Sequence, residues 1–177
     1  MCIRDRDGNG RLGRLLITLM LINDGVLHSC LFYPSFQFKK NRSEYYRQLT
    51  SVRERGTYEE WIEFFCNSLL ESAKDSVGSL KNLVDLHNRS TATITENLGR
   101  TAANGQRLLG ILEEHPIVDT AFIAAQLDIG RSTASSLVKS FEELGILRPL
   151  DESRQRYRQY GYEEYLSILR EDAEPIR

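Results

Sequence analysis

RDRDGNGRLGR, Arg4 to Arg14, runs without a break into LLITLMLIND, Leu15 to Asp24. Two readings compete for the first stretch. An EF-hand calcium loop needs D-x-[DN]-x-[DN]-G, then five residues and a bidentate glutamate. Asp5, Asp7, Asn9 and Gly10 satisfy the first half, but the twelfth position is Leu16, which offers no oxygen, and only four residues precede Asp5, too few for an entering helix. The ligand geometry therefore disfavours calcium. The other reading is an anion cradle. Glycine and asparagine tolerate a left-handed backbone, so the N–H groups around Gly8, Asn9 and Gly10 can turn inward as a nest that leads into a helix N-terminus. Arg11 and Arg14 then fall in the first turn, three apart on one face, where the helix dipole disfavours cations. A bound polyphosphate would explain that placement, and Asp7, just before the nest, could hold a magnesium ion bridging phosphate oxygens. An ordinary helix start with solvent-facing arginines is the competing reading.

The chain has 177 residues, 41% of them hydrophobic, enough to bury a core and to build two small domains. Its longest nearly unbroken apolar run, Leu15 to Ile22, is far shorter than the roughly 20 residues of a membrane-spanning helix. The charged start is unlike a signal peptide, so a cytoplasmic protein with no membrane partner is expected. Cys2, Cys30 and Cys66 are odd in number and show no CxxC spacing, which suggests neither a disulfide framework nor a zinc site. With 23 basic and 25 acidic residues, any attraction to nucleic acid must be local.

The periodicity predicts a mainly α protein. Arg11–Asp24, apolar on nearly every side, reads as a helix buried in a bundle, with Gly25 placed to end it. An extended link through Tyr33 and Pro34 leads to two short helices ending at Gly56, which carry Phe36, Phe38, Tyr45, Tyr46, Leu49 and Val52. A long helix opens at Tyr58, and its polar second half looks like a connector between domains. From Asn104 the elements shorten: a helix stopped by Pro116, a second over TAFIAAQLDI, a turn at Gly130, a third helix closed by Gly145, a two-stranded ribbon over Arg148–Tyr162 and a last short helix. Three helices with a short turn before the third, then a basic ribbon, make a winged helix-turn-helix. The expected domains are 1–100, a helical bundle, and 101–177, a small α+β winged helix-turn-helix.

DGNGRLGR followed by an apolar helix resembles the end of the Fic family motif, HPFxDGNGRxGR, over eight contiguous positions, and NRSEYYRQLTSVRERGTYEEWIEFF is similar to the segment that follows it in bacterial members with a trailing winged helix. The resemblance covers the chain from Asp7 onward. It implies a Fic-type helical bundle whose members mostly transfer AMP from ATP to a hydroxyl of a target protein. It also implies roles: Asp7 for magnesium; Gly8, Asn9, Gly10 and Arg11 for the α- and β-phosphates, with Gly13 also at the nucleotide; Arg14 for the γ-phosphate; Tyr45 and Tyr46 near the adenosine. In regulated members the second arginine is the one captured by an inhibitory glutamate. For the two tyrosines, bundle core with the hydroxyl satisfied is an equal alternative.

This chain departs from the family where the chemistry lies. The family's general base is a histidine four positions before the aspartate, and Ile3 stands there, with Arg4 and Asp5 in place of Pro and Phe. Isoleucine accepts no proton, so the chain as written is expected to be inactive. His28, His87 and His115 read as surface or capping residues. The family's other bundle half, its target-positioning hairpin and its inhibitory (S/T)xxxE(G/N) helix lie upstream of the motif. The expectation is accordingly a truncated Fic portion whose first six residues, MCIRDR, are not native. The partners expected are ATP, magnesium, a target protein offering a Ser, Thr or Tyr hydroxyl, and a second copy as a homodimer.

The rival reading is a DNA-binding regulator whose degenerate bundle senses nucleotide or dimerises. A helix-turn-helix would present Arg131, Ser132, Thr133 and Ser135 to bases or phosphates, with Lys139 farther along, and the ribbon would add Arg148, Arg154, Arg156 and Arg158. Glu142, Glu143, Glu152, Glu163 and Glu164 dilute that field, and a protein-contact role is the alternative.

Overall fold

The computed structural model describes residues 9–27, 34–151 and 158–171, excepting the side chains of Asn9, Arg11 and Glu171. Ile3, Asp7, Gly8, Arg154 and Arg156, all singled out above, lie outside the described residues, as do Cys2, Cys30 and His28. The protein is mainly α. The described chain divides into two units, one up to Ser79 and one over Leu80–Glu171.

The first unit contains α1 (Asn9–Asn23), α2 (Pro34–Lys40), α3 (Arg42–Arg55) and the start of α4 (Tyr58–Asn97). Pro34 opens α2 instead of belonging to an extended link; a proline costs nothing at the first helical position, where its N–H would have no partner. Gly25 closes α1 in the left-handed region (φ 70°), its N–H donating to Ile22 O and the N–H of Val26 to Leu21 O, the paired bonds of a Schellman motif. Gly56 (φ 73°) ends α3. α1 packs on α2 and α2 on α3. Phe38 is the buried centre, stacked on Phe65 at 5.8 Å between centroids and flanked by Tyr45 and Phe64.

The expectation of a buried α1 is corrected. Leu12, Leu15, Leu16, Leu19 and Met20 are all 51–65% exposed. α1 is apolar on more than one side, and among its described side chains only the stripe of Arg14, Ile17, Thr18, Leu21 and Ile22 is half-covered.

The second unit begins inside α4, at Leu80. The reason lies in the packing: Leu86 and Ile94, on the last turns of α4, are fully buried in the second unit's core with Leu108, Leu109 and Leu112 of α5 (Ala102–Glu114). The chain continues through β1 (Ile117–Asp119), α6 (Thr120–Leu127), α7 (Arg131–Glu143), β2 (Arg148–Pro149), β3 (Gln159–Gly161) and α8 (Glu163–Glu171). The ribbon gains a third strand that the sequence does not announce. β3 lies between β1 and β2, antiparallel to both, with Val118 and Pro149 opposite Tyr160 from either side. A three-residue strand next to a helix-capping Asp119 carries no periodicity to read.

α6 and α7 pack against each other across a three-residue turn, Asp128–Gly130. Asp119 caps α6, its carboxylate accepting from the N–H of Phe122 at 2.7 Å. The left-handed residue of the turn is Asp128 (φ 54°), not Gly130, and the N–H of Ile129 donates to Ala124 O to close α6. Aspartate is among the few L-residues that enter this region readily. Gly145 (φ 73°) closes α7 in the same way, with Ile146 N–H donating to Phe141 O. Ala134, Leu137, Val138 and Phe141 bury one face of α7 against Ile123 and Leu127 of α6 and the rest of the core. The Tyr162 hydroxyl shares a buried hydrogen bond with Ser90 at 2.8 Å, and Tyr165 donates to Glu113 O, so α4, α5 and the start of α8 are tied together.

Candidate functional site

The glycine-rich stretch does lead into a helix: α1 starts at Asn9. Its first turn contains no acid, so the partial positive charge of the helix end is uncompensated by a carboxylate there. Gly10 is exposed and Arg14 half-buried. A methyl group added at Gly10 would lie 3.5 Å from Nη1 of Arg14, so the guanidinium folds back along the helix toward its own N-terminus. Gly13 faces open space, with nothing within 4 Å of an added Cβ. A cation set against the positive helix end, with free backbone beside it, offers both a charge and N–H donors to an anion. These described residues fit a phosphate group. Asp7 and Gly8, and the side chains of Asn9 and Arg11, are beyond the described part, and no cluster of metal ligands occurs among the described residues.

The two tyrosines separate. Tyr45 is half-buried in an aromatic cluster, 5.2 Å from Phe38 and 5.7 Å from Trp61 between ring centroids. Tyr46 meets Tyr45 edge-on, is 52% exposed, and has the Arg42 guanidinium 5.7 Å above its ring. Tyr45 therefore packs as core, and Tyr46 alone keeps a face free to stack on a planar group. On the same helix, Glu44 sits below its ordinary range because Arg47 and Gln48 both donate to it, a surface arrangement that braces α3.

A second surface lies on α7. Arg131, Ser132 and Thr133 are exposed at its start, followed by exposed Ser135, Ser136 and Lys139, with the opposite face locked in the core. The charge there is weak. Lys139 stands 3.7 Å from the Glu143 carboxylate, and the Ser136 hydroxyl donates to Ser132 O. Of the ribbon arginines only Arg148 and Arg158 are described, both exposed, and Arg158 is engaged by a neighbour.

Both described histidines are accounted for by neighbours. His87 meets Glu113 at 2.6 Å on the surface of the second unit, and His115 follows the last residue of α5 with its ring edge-on to Phe122. No described helix is long and apolar enough to cross a membrane. Scanned against protein-family models, the chain matches none.

Proposed function

We propose that this chain is the C-terminal portion of a Fic-type AMP transferase, binding ATP and magnesium through Asp7 to Arg14 and lacking the catalytic base. The reaction of the complete enzyme would be in-line attack of a target Ser, Thr or Tyr hydroxyl on the α-phosphate, with pyrophosphate leaving. Gly8, Asn9, Gly10, Arg11 and Gly13 would cradle the phosphates, Arg14 would meet the terminal one, Asp7 would hold the metal and Tyr46 would lie beside the adenosine. With Ile3 at the base position, this chain binds nucleotide without transferring it.

The observation that carries the reading is the Arg14 guanidinium folded toward Gly10 at a helix whose first turn contains no acid. Such a cation is unfavourable in an empty site and favourable once an anion arrives. Titration of a fluorescent ATP analogue with and without magnesium tests it. Saturable binding strengthened by magnesium, and weakened about tenfold by Arg14→Ala as befits a charge-assisted bond, is expected. Binding absent in the native chain, or indifferent to Arg14, overturns the assignment.

A second reading, for the other unit, has its own support. The order α5, β1, α6, α7, β2, β3, the three-residue turn before α7 and the exposed Arg131–Thr133 start support the reading of a winged helix-turn-helix that would present α7 to DNA. A duplex titration at low ionic strength decides between DNA and protein contact: affinity falling steeply with salt, and further with Arg131→Ala, supports DNA. Affinity that ignores salt or is absent points to a protein partner.

A further inference from the structure

α4 carries a stripe of exposed apolar side chains with a seven-residue period. Cys66, Ala73 and Leu80 recur every seven residues, and so do Leu70, Val77 and Val84, interleaved at spacings of four and three. Leu70, Val77, Leu80 and Val84 are 53%, 51%, 44% and 58% exposed, Cys66 is exposed as well, and Ala73 is half-buried. These positions are distinct from the face that α4 uses inside the protein, where Ser68, Ser72, Leu86, Ser90 and Ile94 are buried.

A straight helix packed on a globular surface keeps its apolar stripe at 3.6 residues per turn; a strict 3.5 period keeps a stripe facing another helix over many turns. The stripe thus specifies a helical partner, and its composition specifies which one. With Leu70, Val77 and Val84 in the first heptad core position and Cys66, Ala73 and Leu80 in the second, β-branched residues hold two of the three first positions and Leu80 a second one, the pattern that favours two parallel strands. Charge gives the same direction. Lys74 and Lys81 flank the stripe on one side, and half-buried Leu69, Ser76 and Leu83 on the other, Leu83 with part of its side chain against the second unit's core. A parallel pair lays each lysine stem over the partner's uncharged flank, whereas an antiparallel pair would bring Lys74 against the same lysine of its partner. We propose that α4 pairs through this stripe with α4 of a second copy of the chain, as a parallel two-stranded coiled coil.

The parallel register opposes Cys66 to Cys66 of the second copy, at core positions compatible with the roughly 4.4–6.8 Å between Cα atoms that a disulfide requires. The test uses the full chain with Cys2→Ser and Cys30→Ser, treated with a mild oxidant that accepts the two electrons of the thiol pair. A covalent dimer forming at micromolar concentration, together with a doubled mass by light scattering under reducing conditions, is expected. Val77→Lys with Leu80→Lys changes exposed side chains, so the helical circular dichroism should persist while the mass halves. A native chain that stays monomeric, or a dimer that survives the double lysine variant, overturns the proposal. A dimer abolished by the lysines but never cross-linked through Cys66 overturns the parallel arrangement, since antiparallel pairing sets Cys66 opposite Val84. If the lysine variant loses its helical signal, the Cys66 cross-link in the otherwise native chain decides.

Discussion

Gly105 and Gly110 lie on the same helix, α5, and the same substitution should act on them with opposite sign. Inside a helix, alanine is favoured over glycine by roughly 0.5–1 kcal/mol because glycine loses more backbone freedom. Gly110 is exposed, and nothing lies within 4 Å of a Cβ placed there, so Gly110→Ala should realise that gain. At buried Gly105 the new carbon would come within 2.8 Å of Ile94 Cγ2 and 2.8 Å of Leu98 Cδ1, with Phe141 Cε2 at 3.7 Å behind them. Ile94 and Phe141 are both 0% exposed and have no space to turn into. Overpacking of this kind costs about 1–3 kcal/mol. After the helix gain is subtracted, Gly105→Ala should destabilise the second unit by about 1 kcal/mol, and because propensity enters both variants equally, the gap between them reads the steric cost alone. For a domain of this size each kcal/mol moves the melting temperature by about 4–8 °C. Calorimetry of the two variants should place Gly110→Ala above the native chain and Gly105→Ala below it. Equal melting temperatures would refute the close approach of α5 to the last turns of α4.

Tyr162 offers a pH test. Burial pushes its hydroxyl up to about 12 from an ordinary value of 10.0, while the Ser90 hydrogen bond acts the other way. A group whose proton is held more tightly in the folded state supports folding in full below pH 10 and loses that support as pH rises from 10 toward 12. Tyr162→Phe leaves Ser90 without its partner, so it should be about 1 kcal/mol less stable at pH 8, and its deficit should shrink between pH 10 and 12; a deficit constant with pH contradicts the burial argument. Asp119→Ala removes the cap on Phe122 N–H and should lower stability by about 1 kcal/mol, while Asp119→Asn should retain most of it, as urea unfolding would show. Asp128→Gly relieves a left-handed L-residue (φ 54°) and should be neutral or slightly stabilising by the same measure, whereas Asp128→Val should destabilise by about 1 kcal/mol or more.

The parts of the fold written in sequence were those enforced by one residue type at one place. Gly25, Gly56 and Gly145 end their helices because few other residues enter the left-handed region, and Pro116 follows the end of α5 because it cannot extend it. What escaped were features created by distant neighbours. β1 exists because Gln159–Gly161 returns to pair with it, and the turn before α7 uses Asp128, whose fitness for the left-handed region is shared by asparagine and weaker than glycine's. In the candidate site, Gly10 and Arg14 stand out in sequence by their place in the glycine–asparagine run, but only packing distinguishes Tyr45, enclosed by Phe38 and Trp61, from Tyr46, which is half exposed with Arg42 over its ring. The α4 stripe was present in the sequence as a seven-residue recurrence, and what its periodicity could not say is that the stripe faces away from the core.

That exposure bears on the nucleotide reading as well. Among the described residues, Pro34 and Phe38 are the buried aliphatic and aromatic side chains of the first unit, whereas the second unit closes a continuous core from Leu86 to Ile168. A unit with so little buried apolar surface has a small margin of stability, and α1, which bears Gly10 and Arg14, is the helix with the most uncovered leucine. Any contact that covers apolar surface of this unit stabilises it by an amount that grows with the logarithm of the partner's concentration over its dissociation constant. Pairing through α4 should therefore order the unit that holds the phosphate cradle, and by reciprocal linkage nucleotide should favour the paired form. The coupling is measurable: adding ATP and magnesium should strengthen self-association of the native chain, and the same strengthening of Arg14→Ala should need about ten times more nucleotide. If nucleotide binds the native chain through Arg14 yet leaves association untouched, the cradle and the stripe act independently, and the thin core of the first unit must be stabilised by something other than α4.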